Sequence, residues 1–312
     1  MDRNEKQIYY DGKAGKLRDV IPHSTPYFDE GDIKAVSDVI KSGFIAHGTK
    51  TFEFEKNIAE YINVKGCFVT NSGTSALHLA LIVLGVGKGD KVLLPSLVCY
   101  AVLDAVNYSG AEAVFADVDS DTYNISVNSI KEKLHNNPKA VIVPHLYGEA
   151  ADIENIIDLG VPVIEDCGQA LGGEVNGKKL GSFGDISTFS FYATKIIATG
   201  SGGAVASNSA LLLEKIKDIG SNYYKNDYKV RFNYRMSDLQ ASLGISQLSK
   251  LDMFLERRKD IAKEYVSAFK GLNIISPLLK SDRSHIYYRF MVRVNNKRDE
   301  YIQQMRDRGV IC

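Results

Sequence analysis

Residues 161–195 read VPVIEDCGQALGGEVNGKKLGSFGDISTFSFYATK. Two short apolar runs in this stretch, 161–164 and 187–191, have the length of buried β-strands and are bounded by polar residues and glycines. The first run is followed at once by Glu165 and Asp166, and the second leads to Lys195. Strands that end in such side chains are typical of an α/β protein, which displays its working groups at one edge of its sheet.

The same alternation of strands and helices extends from residue 66 to about residue 207. Further strands are predicted at 91–94, 113–116, 140–143 and 203–206, and helices at 75–84, 97–108, 126–135, 152–159 and 209–219. Strands that alternate with helices require crossover connections, which produce a mostly parallel sheet with helices on both faces. The predicted fold class is therefore α/β, with ligands beyond the carboxyl ends of the strands.

The segments outside this core are predicted as amphipathic helices at 30–41 and 51–62, a long and interrupted helix at 236–270, a strand at 286–294 and a helix at 298–308. Asp29 and Asp32 form an acceptable capping signature for the first helix. The aromatic and basic segment 221–235 follows the core, and its composition suits a diphosphate and a base. The last two elements indicate the start of a small α/β domain.

The composition excludes several classes of protein. Of the 312 residues, 45% are apolar, which excludes a disordered chain. The 38 Lys and Arg are balanced by 38 Asp and Glu, which argues against a protein whose main task is nonspecific binding of nucleic acid. Residues 67–87 lack charge, but their polar first half reads as a loop leading into a buried helix, so no membrane span is expected. The N-terminus lacks the apolar run of a signal peptide, and the four cysteines show no CxxC spacing. A cytoplasmic protein with reduced thiols is predicted.

Three segments hold the candidate site residues, and each has an ordinary alternative. In Asn71–Leu77 (NSGTSAL), Gly73, Thr74 and Ser75 open a helix, and this start either binds phosphate or is merely capped by a hydroxyl. Asp166 is either a buried working carboxylate or part of a solvated acidic turn. Lys195 stands among aromatic residues and glycines, where a desolvated lysine can form a Schiff base, although most lysines are solvated.

The three segments together fit one cofactor. Pyridoxal phosphate needs a lysine for its carbonyl carbon, an acid for its pyridinium nitrogen and an anion site for its phosphate. Lys195, Asp166 and the helix start at Gly73–Ser75 supply one of each, at strand–helix boundaries. The combination is more specific than any of its members, and no metal site is predicted.

The sequence resembles the DegT/DnrJ/EryC1/StrS family of pyridoxal-phosphate sugar aminotransferases from about Ile21 to its last residue. The resemblance is carried by NSGTSAL at 71–77, AVFADVDSDTY at 113–123, PHLYG at 144–148, IEDCGQA at 164–170, GSFGDISTFSFYATK at 181–195 and FNYRMSDLQASLG at 232–244, together with GFIAHGTKTFEF at 43–54. It implies a fold-type-I enzyme that works as a homodimer with shared active sites.

The resemblance also implies residue roles. Lys195 matches the lysine that forms the internal aldimine and shuttles a proton, and Asp166 matches the partner of the pyridinium nitrogen. The remaining matches are Gln169 beside the cofactor ring, the phosphate ligands Thr74, Ser75 and Ser190, a phosphate contact by Asn233 from the neighbouring subunit, and a grip on anionic substrate by Arg235. For Arg235, a salt bridge across the subunit interface is an equal alternative. His145 is expected near the substrate in a positioning role, not as the base.

The sequence departs from the family pattern at three places. The ring-stacking aromatic is replaced in strict register by Cys99, with Tyr100 one place late, and Ser201 stands where relatives commonly have Glu. Relatives continue beyond Cys312, so the small domain is expected to be incomplete. The predicted division is an extension at 1–20, a cofactor domain at 21–245, and the long helix with the incomplete small domain at 246–312.

The leading functional hypothesis is the transfer of an amino group from glutamate to a keto-sugar. This keto-sugar is expected to be linked to a nucleotide. One alternative is a pyridoxal-phosphate dehydratase or lyase, but relatives of that kind replace the aldimine lysine with histidine, whereas Lys195 is present here. The other alternative is a cofactor-binding homologue with little catalysis, which the incomplete small domain and the changes at Cys99 and Ser201 would favour.

Overall fold

The computed structural model describes residues 20–223 and 226–312. The described helices are α1 Glu30–Ser42, α2 Thr49–Ile62, α3 Gly73–Val83, α4 Tyr100–Tyr108, α5 Val127–Lys133, α6 Ile153–Ile157, α7 Ala210–Ile219, α8 Asp238–Leu248, α9 Leu251–Ala268 and α10 Arg298–Asp307. The described strands are β1 Gly66–Thr70, β2 Lys91–Pro95, β3 Glu112–Ala116, β4 Ala140–Pro144, β5 Val163–Asp166, β6 Glu174–Val175, β7 Lys178–Lys179, β8 Ile186–Ser190 and β9 Gly203–Ser207. Short 3₁₀ turns lie at Leu134–Asn136 and Leu146–Gly148. The predicted extension at 1–20 falls outside the described residues except for Val20.

A seven-stranded sheet in the order β1-β9-β8-β5-β4-β2-β3 forms the centre of the molecule. β9 pairs antiparallel with both of its neighbours, and the remaining pairs are parallel, so the mostly parallel sheet predicted from the sequence is confirmed. Both faces are buried: on β1, Cys67 and Val69 join one hydrophobic cluster, and Phe68, between them, joins the other. This alternation follows from the two-residue period of a strand.

Most of the predicted elements are confirmed within a few residues, including the break that divides 236–270 into α8 and α9. The capping signature of α1 is also confirmed, because the Asp29 side chain accepts the Asp32 N–H and the Asp32 side chain accepts the Asp29 N–H in return. The interpretation of the first part of 67–87 as a loop is wrong, because its opening residues belong to β1, the buried edge partner of β9. A strand was not expected there because the segment turns polar immediately after it.

The strand predicted at 286–294 is wrong. Tyr287 has a left-handed backbone (φ 52°), which breaks an extended run. The first part of the segment bonds to a loop of the central domain, whereas Arg293 forms an isolated bridge with Ile275. Ile286 N–H donates to the carbonyl of Gly148 at 2.9 Å, and Arg289 N–H donates to the carbonyl of Tyr147 at 3.2 Å. The segment is thus placed by contacts distant in sequence.

Candidate active site

The carboxyl ends of β1, β5 and β8 lie at the same edge of the sheet, where α3 begins. Two glycines allow the backbones to meet there. A Cβ on Gly73 would lie 2.8 Å from the Cβ of Ser190, and a Cβ on Gly203 would lie 2.5 Å from the carbonyl oxygen of Ser72. The structure therefore brings the predicted residues Gly73 and Ser190 into direct contact.

The start of α3 is capped by a hydroxyl, as one of the two sequence alternatives expects, and its phosphate role stays a prediction. Ser72 is the N-cap, and its hydroxyl accepts the Ser75 N–H at 3.1 Å. The Ser75 hydroxyl bonds to Asn71 Oδ1 at 2.7 Å. The first N–H groups of a helix, here those of Gly73 and Thr74, have no acceptor within the helix, and the helix dipole makes this end positive. Capping by Ser72 therefore leaves the N–H groups of Gly73 and Thr74 without an acceptor in the helix, where an anion could bind.

Asp166 ends β5 at this edge. Its Oδ1 accepts the Gly168 N–H at 2.9 Å, and a Cβ on Gly168 would lie only 3.0 Å from that oxygen. Burial raises the pKa of the Asp166 carboxyl, while the Gly168 hydrogen bond and the positive charge of Lys195 act in the opposite direction. The two predicted catalytic residues therefore lie within electrostatic reach of each other.

Lys195 lies in the loop between β8 and β9. Its backbone N–H donates to the carbonyl of Tyr192 at 2.8 Å, and its Nζ lies 5.1 Å from the ring centroid of Tyr288. The Tyr288 side chain is buried, and its hydroxyl lies 3.4 Å from Thr194 Oγ1. The sequence does not predict this role for Tyr288, because the residue falls in the strand expected at 286–294 and no local signal links it to Lys195.

Glu165, adjacent to Asp166, is fully buried and serves the fold. Its carboxylate accepts the N–H groups of Gly181 at 2.5 Å, Phe183 at 3.0 Å and Gly184 at 3.1 Å, and it also accepts His145 Nε2 at 3.1 Å. Burial opposes its ionisation, but the hydrogen bonds from His145 and the backbone outweigh that effect and lower the pKa of Glu165.

His145 is fully buried behind the site. Its Nδ1 accepts the Ala151 N–H at 3.0 Å, so the ring proton lies on Nε2 and is donated to Glu165. The predicted substrate contact of His145 is not available in this arrangement, because protein groups take both ring nitrogens. The ligand atoms of His145, Glu165 and Cys167 lie within 4.8 Å of one another, but these hydrogen bonds already occupy the carboxylate and the imidazole.

Gln169 lies three residues beyond Asp166 and reaches the PHLYG segment. Its Oε1 accepts the N–H of Tyr147 at 2.9 Å, a residue with a left-handed backbone (φ 57°). The predicted contact of Gln169 with the cofactor ring stays a prediction.

Cys99 and Tyr100 lie at the start of α4, where both are exposed, so neither is fixed against the site by protein contacts. Their stacking role also stays a prediction.

The segment 233–235 runs antiparallel to the end of β1. Asn71 donates its backbone N–H to the carbonyl of Tyr234 at 2.7 Å and its side-chain amide to the carbonyl of Asn233 at 3.2 Å. Asn233 therefore lies beside the α3 start of its own chain, and its predicted phosphate contact in a neighbouring subunit stays a prediction. Ser201 reinforces this corner, because its hydroxyl donates to the carbonyl of Asn71 at 2.9 Å.

Arg235 packs its guanidinium 3.8 Å from the ring centroid of Tyr223. Its Nε is buried without a hydrogen-bond partner, and no carboxylate in the described part of the chain pairs with it. Burial first, and then the charge of Arg235, lower the pKa of His47. These contacts favour neither of the two roles predicted for Arg235.

Comparisons with known proteins show which family this chain belongs to. The sequence profile of the DegT/DnrJ/EryC1/StrS aminotransferase family matches residues 26–312. The chain belongs to that family. It is 39% identical over 264 residues to GDP-perosamine synthase of Vibrio cholerae, covering 81% of this chain and 72% of the relative. It is 37% identical over 273 residues to dTDP-3-amino-3,6-dideoxy-alpha-D-galactopyranose transaminase of Aneurinibacillus thermoaerophilus, covering 85% and 76%.

Solved structures agree with this assignment. Spr1654 of Streptococcus pneumoniae, solved in a PMP form and in a PLP form, matches with a TM-score of 0.89 and 26% identity over 94% of this chain and 83% of that one. The family, the fold class, the pyridoxal-phosphate cofactor and the class of sugar aminotransferase predicted from the sequence are therefore confirmed. No helix in the described ranges is long and apolar enough to cross a membrane.

The residues present fit the cofactor. Asp166 has one oxygen fixed by the Gly168 N–H and is only partly buried, which leaves the other oxygen able to accept a ring N–H. Gly73 and Gly168 stand where a side chain would collide with Ser190 or with Asp166, so the backbone approaches the site closely at both positions. The free amides at the start of α3 are of the kind that would hold its phosphate.

Proposed function

We propose that this protein transfers an amino group from glutamate to the keto group of a nucleotide-linked sugar, with Lys195 as its central residue. The observation that carries the proposal is the convergence of Lys195, Asp166 and the α3 start at one edge of the sheet. Bound pyridoxal phosphate supplies an electron sink for chemistry at the carbon that bears the amino group.

Each residue has a defined task in this proposal. Lys195 would hold the cofactor through its Nζ, and the same Nζ would carry a proton during amino transfer. The negative charge of Asp166 would favour a protonated pyridine nitrogen in the bound cofactor. The amides of Gly73 and Thr74, with the hydroxyl of Ser190, hold the phosphate.

The nucleotide linkage and the homodimer are also part of the proposal. The two curated relatives described above are named for GDP- and dTDP-linked sugars, which supports a nucleotide on the acceptor. Large apolar side chains are exposed on the described part of the chain, including Phe44, Tyr100, Tyr192 and Tyr228, and a second copy of the chain would cover such side chains. A cytoplasmic location is proposed because Cys67, Cys99, Cys167 and Cys312 are all free thiols.

Replacement of the lysine tests the proposal. We expect Lys195→Ala to lose the absorbance of the lysine-bound cofactor and to reduce turnover by about a thousandfold or more, because the amine that attaches the cofactor and carries the proton is gone. The measurement is the spectral conversion of the cofactor on addition of glutamate, followed by product formation from a nucleotide-linked keto-sugar.

Lys178→Ala is the matched control, because Lys178 lies on the β6–β7 hairpin with its Nζ 4.1 Å from the ring centroid of Phe183. The control should leave conversion and turnover unchanged. A fully active Lys195→Ala enzyme would refute the proposal, and a bound cofactor that never responds to any amino donor would favour a non-catalytic protein.

A further inference from the structure

The segment 283–289, here called the C-terminal strap, brings positive charge to the site next to Lys195. Three of its backbone contacts fix it on the central domain: Ile286 N–H to the carbonyl of Gly148, Arg289 N–H to the carbonyl of Tyr147, and Ser284 N–H to the carbonyl of Glu174. Tyr288 is held between these contacts and is buried against Lys195.

Two guanidinium groups meet at Tyr288. Nη1 of Arg289 donates to the Tyr288 carbonyl at 3.0 Å, and Nη1 of Arg258 donates to the same oxygen at 3.3 Å. The guanidinium carbon of Arg289 also lies 4.3 Å from the centroid of the Tyr288 ring, the same ring that Lys195 Nζ approaches. Three cationic side chains are therefore gathered around one tyrosine.

The described protein residues do not neutralise this charge. Neither Arg258 nor Arg289 lies within 4.0 Å of a carboxylate among residues 20–223 and 226–312, whereas Arg283, also on the strap, pairs with Asp152 at 2.8 Å and with Asp282 at 2.6 Å. Burial and then the like charge of Arg289 lower the pKa of Arg258, and the same two causes lower the pKa of His23. The two arginines thus repel each other with no protein anion between them.

We infer that Arg289, supported by Arg258 and His23, binds an oxyanion of the substrate whose reacting end lies at Lys195. The guanidinium group is planar and binds carboxylate or phosphate oxygens in pairs. Arg289 is partly exposed, and its Nη2 lies 3.3 Å from Nδ1 of the exposed His23, so the corner is open to solvent. The inference rests on the proposed function, because that function places the reacting group at Lys195.

Two substrates of the proposed reaction carry a suitable oxyanion. Glutamate carries a carboxylate a few bonds from its amine, and a nucleotide-linked sugar carries a diphosphate beyond its ring. Lys195 Nζ lies 5.1 Å and the Arg289 guanidinium carbon 4.3 Å from the centroid of the same Tyr288 ring, which places both charged groups within one corner of the site. Either molecule would also provide the negative charge that this corner lacks.

The test compares Arg289→Gln with Arg293→Gln. Arg293 is the matched control, because it is an arginine of the same C-terminal region but pairs with Asp121 at 3.3 Å, outside the corner. Calorimetry on the holoenzyme measures the binding of glutarate, which cannot react, and of GDP. We expect Arg289→Gln to weaken the binding of at least one probe by about tenfold or more, because a charge-assisted hydrogen bond is lost, and Arg293→Gln to leave both unchanged.

Each result has a defined meaning. A loss confined to glutarate assigns the corner to the amino donor, and a loss confined to GDP assigns it to the sugar nucleotide. Equal binding of both probes to Arg289→Gln and wild type overturns the inference, as does a wild-type protein that binds neither probe. In the wild type, sodium sulfate should compete with the bound probe, and this arm does not depend on the folding of a variant.

Borohydride trapping separates the inference from the proposed function. Reduction of the wild-type holoenzyme should fix the cofactor on Lys195, which mass spectrometry detects. If trapping fails while probe binding still depends on Arg289, the proposed function is wrong and the oxyanion site stands. If trapping succeeds while Arg289→Gln binds both probes normally, the oxyanion site is wrong and the proposed function stands.

Discussion

At the scale of single residues, two adjacent carboxylates have different tasks. Side chains alternate across a strand, so Glu165 and Asp166 at the end of β5 point in opposite directions. Glu165 is buried and fixes the loop 181–184 through its N–H groups, whereas Asp166 remains partly exposed at the edge of the sheet. From the sequence of this segment alone, Asp166 fits a buried working carboxylate and a solvated acidic turn equally well. The partners of Glu165, which are distant in sequence, distinguish it from Asp166, whose carboxylate accepts only the nearby Gly168 N–H among the described residues.

We predict that Asp166→Asn retains cofactor binding but loses most of its activity. The amide oxygen can still accept the Gly168 N–H, so the local structure should survive, but the negative charge that holds the ring nitrogen protonated is lost. Turnover should fall by about a hundredfold or more, as is common when a charge that stabilises the transition state is removed. Steady-state rates, with the cofactor content measured on the same samples, check this prediction.

Asp158→Asn is the control for that experiment, since Asp158 is an exposed acid at the end of α6. It should leave the rates unchanged. Normal turnover in Asp166→Asn would mean that the acid opposite the cofactor nitrogen is another residue.

At the scale of elements, local patterns predicted the parallel sheet but not the C-terminal strap. The nearly continuous apolar run at 286–294 is typical of a strand, yet it forms no strand, because docking of its first residues on Tyr147 and Gly148 determines their backbone. The small β6–β7 hairpin has a local signal in the Asn176-Gly177 pair, because both residues have positive φ at the turn, as a two-residue hairpin requires. The strap could not be predicted, because nothing local to it specifies its partners.

We predict that Gly148→Ala displaces the strap. Gly148 has φ +94°, and a Cβ there would lie 2.7 Å from the backbone nitrogen of Tyr288, so alanine would add both backbone strain and a collision. The free energy of unfolding should fall by about 2 kcal/mol or more, and Tyr288 should move away from Lys195. Thermal unfolding measures the loss of stability. The rate at which Lys195 reacts with added pyridoxal phosphate measures the displacement of Tyr288.

Gly160→Ala separates strain from collision. Gly160 has φ +75°, and no atom lies within 4 Å of the place that a Cβ would occupy, so alanine there adds strain alone, about 1 to 2 kcal/mol. Equal behaviour of the two variants would show that the contact between Gly148 and the strap is unimportant.

At the scale of the whole molecule, the C-terminal region and the cofactor domain share one core. Ile286 and Tyr288 belong to the same hydrophobic cluster as Phe54 of α2 and Leu255 of α9. The boundary drawn at residue 245 stays a prediction, and the shared cluster shows that packing continues across it. The zero net charge likewise conceals local imbalance: positive charge is concentrated at Lys195, Arg258 and Arg289, beside a helix start that is also positive.

The pH dependence of stability should expose one buried acid outside the active site. Glu55 on α2 is buried against β1, and its Oε1 accepts the Val69 N–H at 3.0 Å. Burial raises the pKa of Glu55 from 4.5 to about 7, and the Val69 hydrogen bond and Lys217 only partly oppose this. Between these values the unfolded chain releases the proton more readily than the folded one. The contribution of Glu55 to stability is therefore greatest below pH 4.5, falls as the pH rises, and levels off above about pH 7.

We predict that Glu55→Gln removes this dependence. The amide oxygen can keep the Val69 N–H while the ionisable group is lost, so the variant should gain about 2 to 3 kcal/mol relative to wild type between pH 5 and pH 8. Urea unfolding at a fixed cofactor concentration measures the difference at each pH. Glu53→Gln, an exposed position on the same helix that pairs with Lys50, should show no such trend. If the difference in unfolding free energy between Glu55→Gln and wild type stays constant with pH, Glu55 titrates normally in the folded protein. A fixed cost of burying the added amide would shift the plot of stability against pH without changing its slope.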